Sequence, residues 1–344
     1  MIDSLLTGPT DNKTGEAELR VRIGIAALLL FGLLAGHASA QNYPTRWVRW
    51  IVPFPAGGAT DGVARFIAAE LSARHGQQFI IENRGGANGS IGTIVAKDAA
   101  PDGYTLLTGS SGVLLVNPRI YSNATYDATK DFTPIGKIAA LDNVVMVSTK
   151  LASSGIKTLA DLIRYAKANP GKLNFGSGGI GNGSHLAAEL LKKTTGIEMV
   201  HIPYKGGNEA NLALIAGDID LICNTTPEAL PLIRGGNAVP LAVMTKARLT
   251  GFPDVPTVAE AGAPGAEVAS WMSLIGPKGM PADIVATLSK DLQVILASDK
   301  AKAYFESILL TRDFATPEEL QALIVAEGPR YQEIVRAAGI TMNK

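Results

Sequence analysis

Residues Pro55–Gly86 read PAGGATDGVARFIAAELSARHGQQFIIENRGG, and residues Gly176–Gly207 read GSGGIGNGSHLAAELLKKTTGIEMVHIPYKGG. Each stretch opens on a glycine loop, runs through a helical pattern to a single glycine, crosses a short apolar run and closes on a basic residue and two glycines. The interval from Gly57 to Gly85 equals that from Gly178 to Gly206, and both helical patterns carry Ala-Ala-Glu-Leu. Strand-like runs precede both loops, Val48-Arg49-Trp50-Ile51-Val52 in the first and Leu173-Asn174-Phe175 in the second. Strand, glycine loop, helix, strand is a βαβ unit, whose two strands lie parallel in one sheet. The echo predicts an α/β protein with such a unit in each of two lobes, either a duplication or two lobes that converged on one solution.

Composition agrees with two globular lobes. The chain has 344 residues, 47% of them hydrophobic and 18% charged, which is too apolar for a disordered chain. With 31 Lys+Arg against 31 Asp+Glu it offers no basic footprint for nucleic acid. The single Cys223 forms no intramolecular disulfide, and the four His, at 37, 75, 185 and 201, have no metal-site spacing. No metal site and no cofactor are expected.

Arg20 and Arg22 precede an apolar run from Ile23 to Leu34, and Ala38-Ser39-Ala40 supplies a small-x-small exit. This is the pattern of a secretory signal over residues 1–40, cleaved before Gln41; the run is too short to span a bilayer. The acidic first twenty residues exceed what a signal needs, which reads as an over-extended start with the true one at Val21. The mature chain has no second long apolar run, so the expectation is an exported chain, soluble and compact from Gln41 onward.

Between the two units, Thr158 with Asp161 caps a helix that stops at Asn169-Pro170-Gly171. After the second unit the pattern predicts a helix ending at Gly217, a strand over Asp218–Ile222, a helix from Pro227 to Arg234 and a strand at Val239–Val243. Pro281–Ala297 is helical, and Thr316-Pro317-Glu318-Glu319 opens the last helix with a capping box. The Gly- and Pro-rich segment from Leu249 to Pro281, with Trp271, suits a passage back to the first lobe.

A glycine turn from strand into helix leaves the helix's first N–H groups unpaired at the positive end of its dipole, where they bind anions. Two such mouths facing each other hold a small anion between them. Gly176-Ser177-Gly178-Gly179-Ile180-Gly181 also fits the dinucleotide fingerprint, but the next strand ends His201-Ile202-Pro203-Tyr204-Lys205, without the acid a ribose needs. No phosphate-loop motif and no G-x-S-x-G elbow occur, and adjacent Ser184 and His185 on a helix start project in different directions.

Several strings are similar to one family: Pro53-Phe54-Pro55-Ala56-Gly57-Gly58-Ala59-Thr60-Asp61, Glu82-Asn83-Arg84-Gly85-Gly86-Ala87-Asn88-Gly89, Pro101-Asp102-Gly103-Tyr104-Thr105-Leu106, His185-Leu186 and Pro203-Tyr204-Lys205-Gly206-Gly207. In this order, over residues 42–342, they resemble the Bug family, the extracytoplasmic solute receptors of tripartite tricarboxylate transporters. The resemblance implies a two-lobed periplasmic binding protein, type II-like, that closes as a Venus flytrap, each lobe a mainly parallel sheet flanked by helices. It implies recognition of a small carboxylate through backbone amides and waters with little use of arginine. It also implies a monomer whose partners are that carboxylate and the transporter's membrane components.

Carried over by position, the first-lobe contacts are Ala56, Gly57, Gly58, Thr60 and Asp61, and the second-lobe contacts are Ser177, Gly178, Gly181, Asn182, Ser184 and His185. Ser110, Ser111 and Thr225 are added donors, and Tyr204 and Trp271 line the cleft. Each side chain has a plainer alternative: Thr60 as a cap, Asp61 as a dipole partner, His185 and Tyr204 as packed residues, Trp271 as hinge packing. The lobes are expected at 41–143 with 267–344, and at 144–266. Two rival functions stay open, an exported sensor lobe for a signalling system and an exported enzyme acting on organic acids.

Overall fold

The computed structural model describes residues 43–268, 270–337 and 339–340. All of the described helices and strands belong to one compact unit, Arg46–Lys344. The secretory-signal reading of residues 1–40 falls outside the described residues. No helix among the described residues is long and apolar enough to cross a membrane.

The chain runs β1 (Val48–Val52), α1 (Ala59–His75), β2 (Phe79–Asn83), α2 (Ser90–Lys97), β3 (Thr105–Ser110), a π-turn (Gly112–Val116), α3 (Asn117–Ile120) and β4 (Phe132–Leu141). It continues with β5 (Asn143–Ser148), α4 (Thr149–Ser153), α5 (Leu159–Ala168), β6 (Leu173–Ser177), α6 (Gly183–Thr195), β7 (Met199–Pro203), α7 (Gly207–Ala216), β8 (Leu221–Thr225), α8 (Thr226–Arg234) and β9 (Ala238–Val243). It closes with β10 (Ser270–Pro277), α9 (Ala282–Ala297), α10 (Asp299–Ser307), β11 (Thr311–Ala315) and α11 (Pro317–Ala337).

Two sheets result, in the orders β11-β4-β10-β3-β1-β2 and β7-β6-β8-β5-β9. The sequence echo becomes their matching edges: β1 pairs parallel with β2 across α1, and β6 pairs parallel with β7 across α6. Both helices end on a glycine in the left-handed region, Gly76 at φ +67° and Gly196 at φ +68°, where other residues would be strained. α1 buries Val63, Ala64, Ile67, Ala68 and Leu71 at helical spacing. β1 is fully buried apart from Arg49, as a strand covered on both faces must be.

The sheets are mixed rather than mainly parallel. β10 runs antiparallel to both β3 and β4, β11 antiparallel to β4, and β5 antiparallel to both β8 and β9. The cause is connectivity. Only Asp142 separates β4 of the first sheet from β5 of the second, and the chain returns from β9 to β10. A strand arriving from the other lobe enters its sheet from the opposite end. The apolar pattern of a buried strand carries no direction, so the sequence does not reveal this.

Candidate functional site

A cavity of about 270 Å3 lies between the two sheets. It sits where helical turns leave the carboxyl ends of strands, the usual ligand position in open α/β sheets. From the first lobe, Gly58, Ala59 and Thr60 present the mouth of α1, and Ser111 and Gly112 that of the π-turn. From the second lobe, Asn182 and Gly183 open α6, Gly206 and Gly207 open α7, and Thr225 caps α8. First-turn N–H groups have no intrahelical acceptor, so these mouths turn donors and the positive ends of their dipoles toward the space without a cationic side chain, although Glu228 already takes the Ala59 N–H. No Lys, Arg or His is among the described residues that line it.

The first glycine loop is wired from behind. Gly57, at φ +82°, donates its N–H to Asp61 Oδ2 at 2.8 Å. The same carboxylate accepts from Arg65 Nε at 2.9 Å and from Asn83 Nδ2 at 2.8 Å. Burial opposes the charge on Asp61, yet these hydrogen bonds prevail and hold its carboxyl below the usual range. Asp61 is 3% exposed and braces the loop instead of lining the cavity, and Gly57's amide is spent on it. Ala56, Gly58 and Thr60 face the space.

The second loop repeats the device with neutral chemistry. Gly178 N–H donates to Ser184 Oγ at 2.9 Å and Gly181 N–H to His185 Nδ1 at 3.0 Å. Ser184 Oγ donates to Asn182 Oδ1 at 3.0 Å, and Ser177 Oγ pairs with His201 Nε2 at 2.6 Å. The rings of His185 and His201 stack with centroids 3.9 Å apart. Burial, joined by the other ring and by Lys192, pulls His185 down to about 3; burial and Lys192 pull His201 down to about 4. Both imidazoles are therefore neutral, and His185, accepting at Nδ1, carries its proton on Nε2. Ser177, Gly178, Gly181, Ser184 and His185 thus support the loop from the lobe side, and Asn182 alone of that group reaches the cavity. Ser184 and His185 are not paired as nucleophile and base.

Ser110, Ser111 and Thr225 also line the cavity. Tyr204 does not: its ring packs against the second lobe's core. Trp271 does not either. It is 2% exposed in the first lobe's core, and its Nε1 donates to Glu327 Oε2 at 2.6 Å. Strand side chains alternate faces, so the neighbour Ser270 is the one in the cleft.

The sequence reading passed over several lining residues. Asn208, on α7, crosses the lobes to donate from Nδ2 to Gly57 O at 3.0 Å; outside the cavity, Tyr121 OH makes a second crossing, to Ile180 O at 2.7 Å. Asn143, at the crossing into β5, is 1% exposed, and neither its Oδ1 nor its Nδ2 has a hydrogen-bond partner. Glu228, three residues after Thr225, fits a capping-box spacing, but its carboxylate reaches across to α1. That spacing and the second Gly-Gly of the echo were the signals available for α7 and α8.

Similarity to known proteins agrees with this geometry. The family model for the tripartite tricarboxylate transporter family receptor matches residues 63–338. The chain is 35% identical to protein BugT of Bordetella pertussis over 90% of this chain and 94% of that one. It superposes on the R. palustris Rpa4515 structure with adipate at TM-score 0.84 and 37% identity, covering 88% of this chain and 100% of that one. It superposes on MatC from Rhodopseudomonas palustris with bound malate at TM-score 0.77 and 30% identity, covering 85% and 100%.

Proposed function

The chain belongs to the tripartite tricarboxylate transporter receptor family, with Bug proteins among its relatives, and from that premise we propose that it delivers a small carboxylate to the membrane components of such a transporter. It is a solute-binding protein, and its relatives with bound adipate and malate indicate the ligand chemistry. The carrying observation is the convergence of helix mouths from both lobes on a cavity free of cationic side chains. A carboxylate held there engages α1 from one side and α6, α7 and α8 from the other, so it favours the closed arrangement of the lobes. The hinge of that closure is the pair of crossings between sheets, at Asp142 and between β9 and β10. The contacts we assign to the ligand are Ala56, Gly58, Thr60, Ser110, Ser111, Asn182 and Thr225, with Asn143 added. The protein works as a periplasmic monomer without catalysis.

A thermal-shift panel of small carboxylates, each with its neutral amide, tests the reading, because a ligand that binds the native state raises the melting temperature. A saturable rise with an acid and none with its amide is expected. Equal shifts from acid and amide would remove the anion site.

A further inference from the structure

α1, α6 and α7 each close on a glycine in the left-handed region, Gly76, Gly196 and Gly217. α10 does not. Its last turn closes with Leu309 N–H on Glu306 O at 3.2 Å and Leu310 N–H on Phe305 O at 3.0 Å, the pairing of a Schellman motif. The residue in the glycine position is Leu309, at φ +53°. A bulky side chain in that region is strained, and such a residue persists only where its surroundings hold it. The side chain is therefore what this position keeps.

That side chain leaves its own lobe. α10 and β11 belong to the first lobe, yet Leu309 packs against the second-lobe core cluster that holds Leu230, Phe252 and Val255. It lies over Gly251, where an added Cβ would stand 2.0 Å from Leu309 Cδ2 and 2.6 Å from Cδ1. Gly251 is itself outside the left-handed region, so its glycine is kept for room. The Leu309 carbonyl is held as well, accepting at 2.5 Å from Oγ1 of Thr226, the first residue of α8.

Peg and socket stand beside the crossing between the sheets. Asp142 Oδ2 accepts from Thr311 Oγ1, two residues past Leu309, at 2.8 Å, and Asp142 O accepts from Thr226 N–H at 2.9 Å. A contact so near a pivot has a short lever arm, so a small change in it becomes a larger one at the cavity. α10 also bears on the opposite wall of that cavity, because Tyr304 stacks on Phe66 of α1 with ring centroids 4.4 Å apart. One element thereby joins α1 to the start of α8, whose cap Thr225 lines the cavity.

We infer that Leu309 and Gly251 form the bearing on which the two lobes seat, and that Leu309, outside the cavity, is a positioning residue setting the separation of the α1 and α8 mouths and with it ligand affinity. The inference rests on the carboxylate-receptor reading above and adds to it the contact that fixes the closed geometry.

Calorimetric titration of the purified protein and its variants with adipate, malate, succinate and glutarate tests it. Leu309→Gly suits the left-handed position, so its ligand-free melting temperature should stay close to that of wild type. Affinity for the acids that bind should nonetheless fall about fivefold or more, the scale of losing part of one buried leucine side chain. Gly251→Ala presses a methyl on the peg and should weaken binding about tenfold. In the double variant the methyl has no peg to press on, so affinity should return to the Leu309→Gly level. Small-angle scattering supplies a second readout: ligand-induced compaction should be smaller in Gly251→Ala than in wild type and recover in the double variant. Should Gly251→Ala fold poorly, Leu309→Ala, which removes the peg and keeps a Cβ, takes its place with the Leu309→Gly loss of affinity expected. Wild-type affinity in both single variants, or losses that simply add in the double one, would overturn the bearing and leave the receptor standing. A panel in which wild type binds none of the four acids would overturn both.

Discussion

The backbone N–H of Gly57 ends 2.8 Å from Asp61 Oδ2, four residues along the chain. Gly181 and His185 repeat that spacing in the second lobe at 3.0 Å. In each lobe a helix side chain reaches back to take a loop glycine's amide, so the loop is shaped before any ligand arrives. The amides still open to a ligand lie in the helical first turns rather than at these loop tips, apart from Ala59 N–H, which Glu228 takes, and Ser184 N–H, which Asn182 takes.

Asp61→Ala removes the acceptor for Gly57, Arg65 and Asn83 at once. We expect it to lower unfolding free energy by about 1–3 kcal/mol in urea denaturation. Because the folded carboxyl titrates below its ordinary value, its contribution is present above pH ~4 and fades as pH falls through the folded value. A variant as stable as wild type at neutral pH would show that the loop needs no brace.

The stacked His185 and His201 predict acid sensitivity. Folded, they stay neutral down to about 3 and about 4, whereas the unfolded chain takes up protons below about 6.5. Between those values the unfolded state binds more protons, so stability falls as pH falls. The melting temperature should decline steadily from pH ~6.5 to pH ~4. His185→Asn, which keeps an acceptor near Nδ1, should flatten that decline; an unchanged slope would assign the sensitivity elsewhere.

Much of this was legible in the sequence. The glycine echo located both βαβ units, and the capping residues Thr158 with Asp161 and Thr316 with Glu319 open their helices as read. Strand direction was hidden because it depends on which lobe the chain comes from. The run read as a strand over Asp218–Ile222 forms instead at Leu221–Thr225, since Asp218 N–H closes the preceding helix on Ala213 O and Asp220 turns its carboxylate to Asn174 N–H. Which side chains reach the cavity was the least legible part. Asp61, Ser184 and His185 are the right types in the right loops, yet hydrogen bonds back to the amides of their own loops turn them away from the cavity.

Trp271→Phe tests the correction of that residue from cleft to core. The ring volume largely stays, and the hydrogen bond to Glu327 is lost, leaving a part-buried acceptor unpaired. Stability should drop by about 1–3 kcal/mol with ligand affinity unchanged. A selective loss of affinity at constant melting temperature would return Trp271 to the site.

Gly58 has φ −78° and ψ 171°, open to any residue, so its glycine is kept for space. A Cβ there would press on Glu228 Oε1 at 3.2 Å, and the further methyls of Val would fill the α1 mouth. Gly58→Val should fold, with a capping cost of about 1 kcal/mol, and lose about tenfold or more in affinity. Undiminished binding by calorimetry would remove the α1 mouth from the ligand contacts.

Asn143→Leu separates binding from folding most sharply. A buried amide with no partner costs about 1–3 kcal/mol, and a Leu of similar volume removes that cost. If Asn143 were a structural residue, the substitution would destabilise the protein. If its amide waits for a ligand, the ligand-free variant melts at or above the wild-type temperature and the ligand-induced rise shrinks. We expect the second pattern, read from melting curves with and without the acid that the carboxylate panel identifies. The opposite pattern, a lower ligand-free melting temperature with the ligand-induced rise intact, would show that Asn143 belongs to the lobe crossing and not to the site.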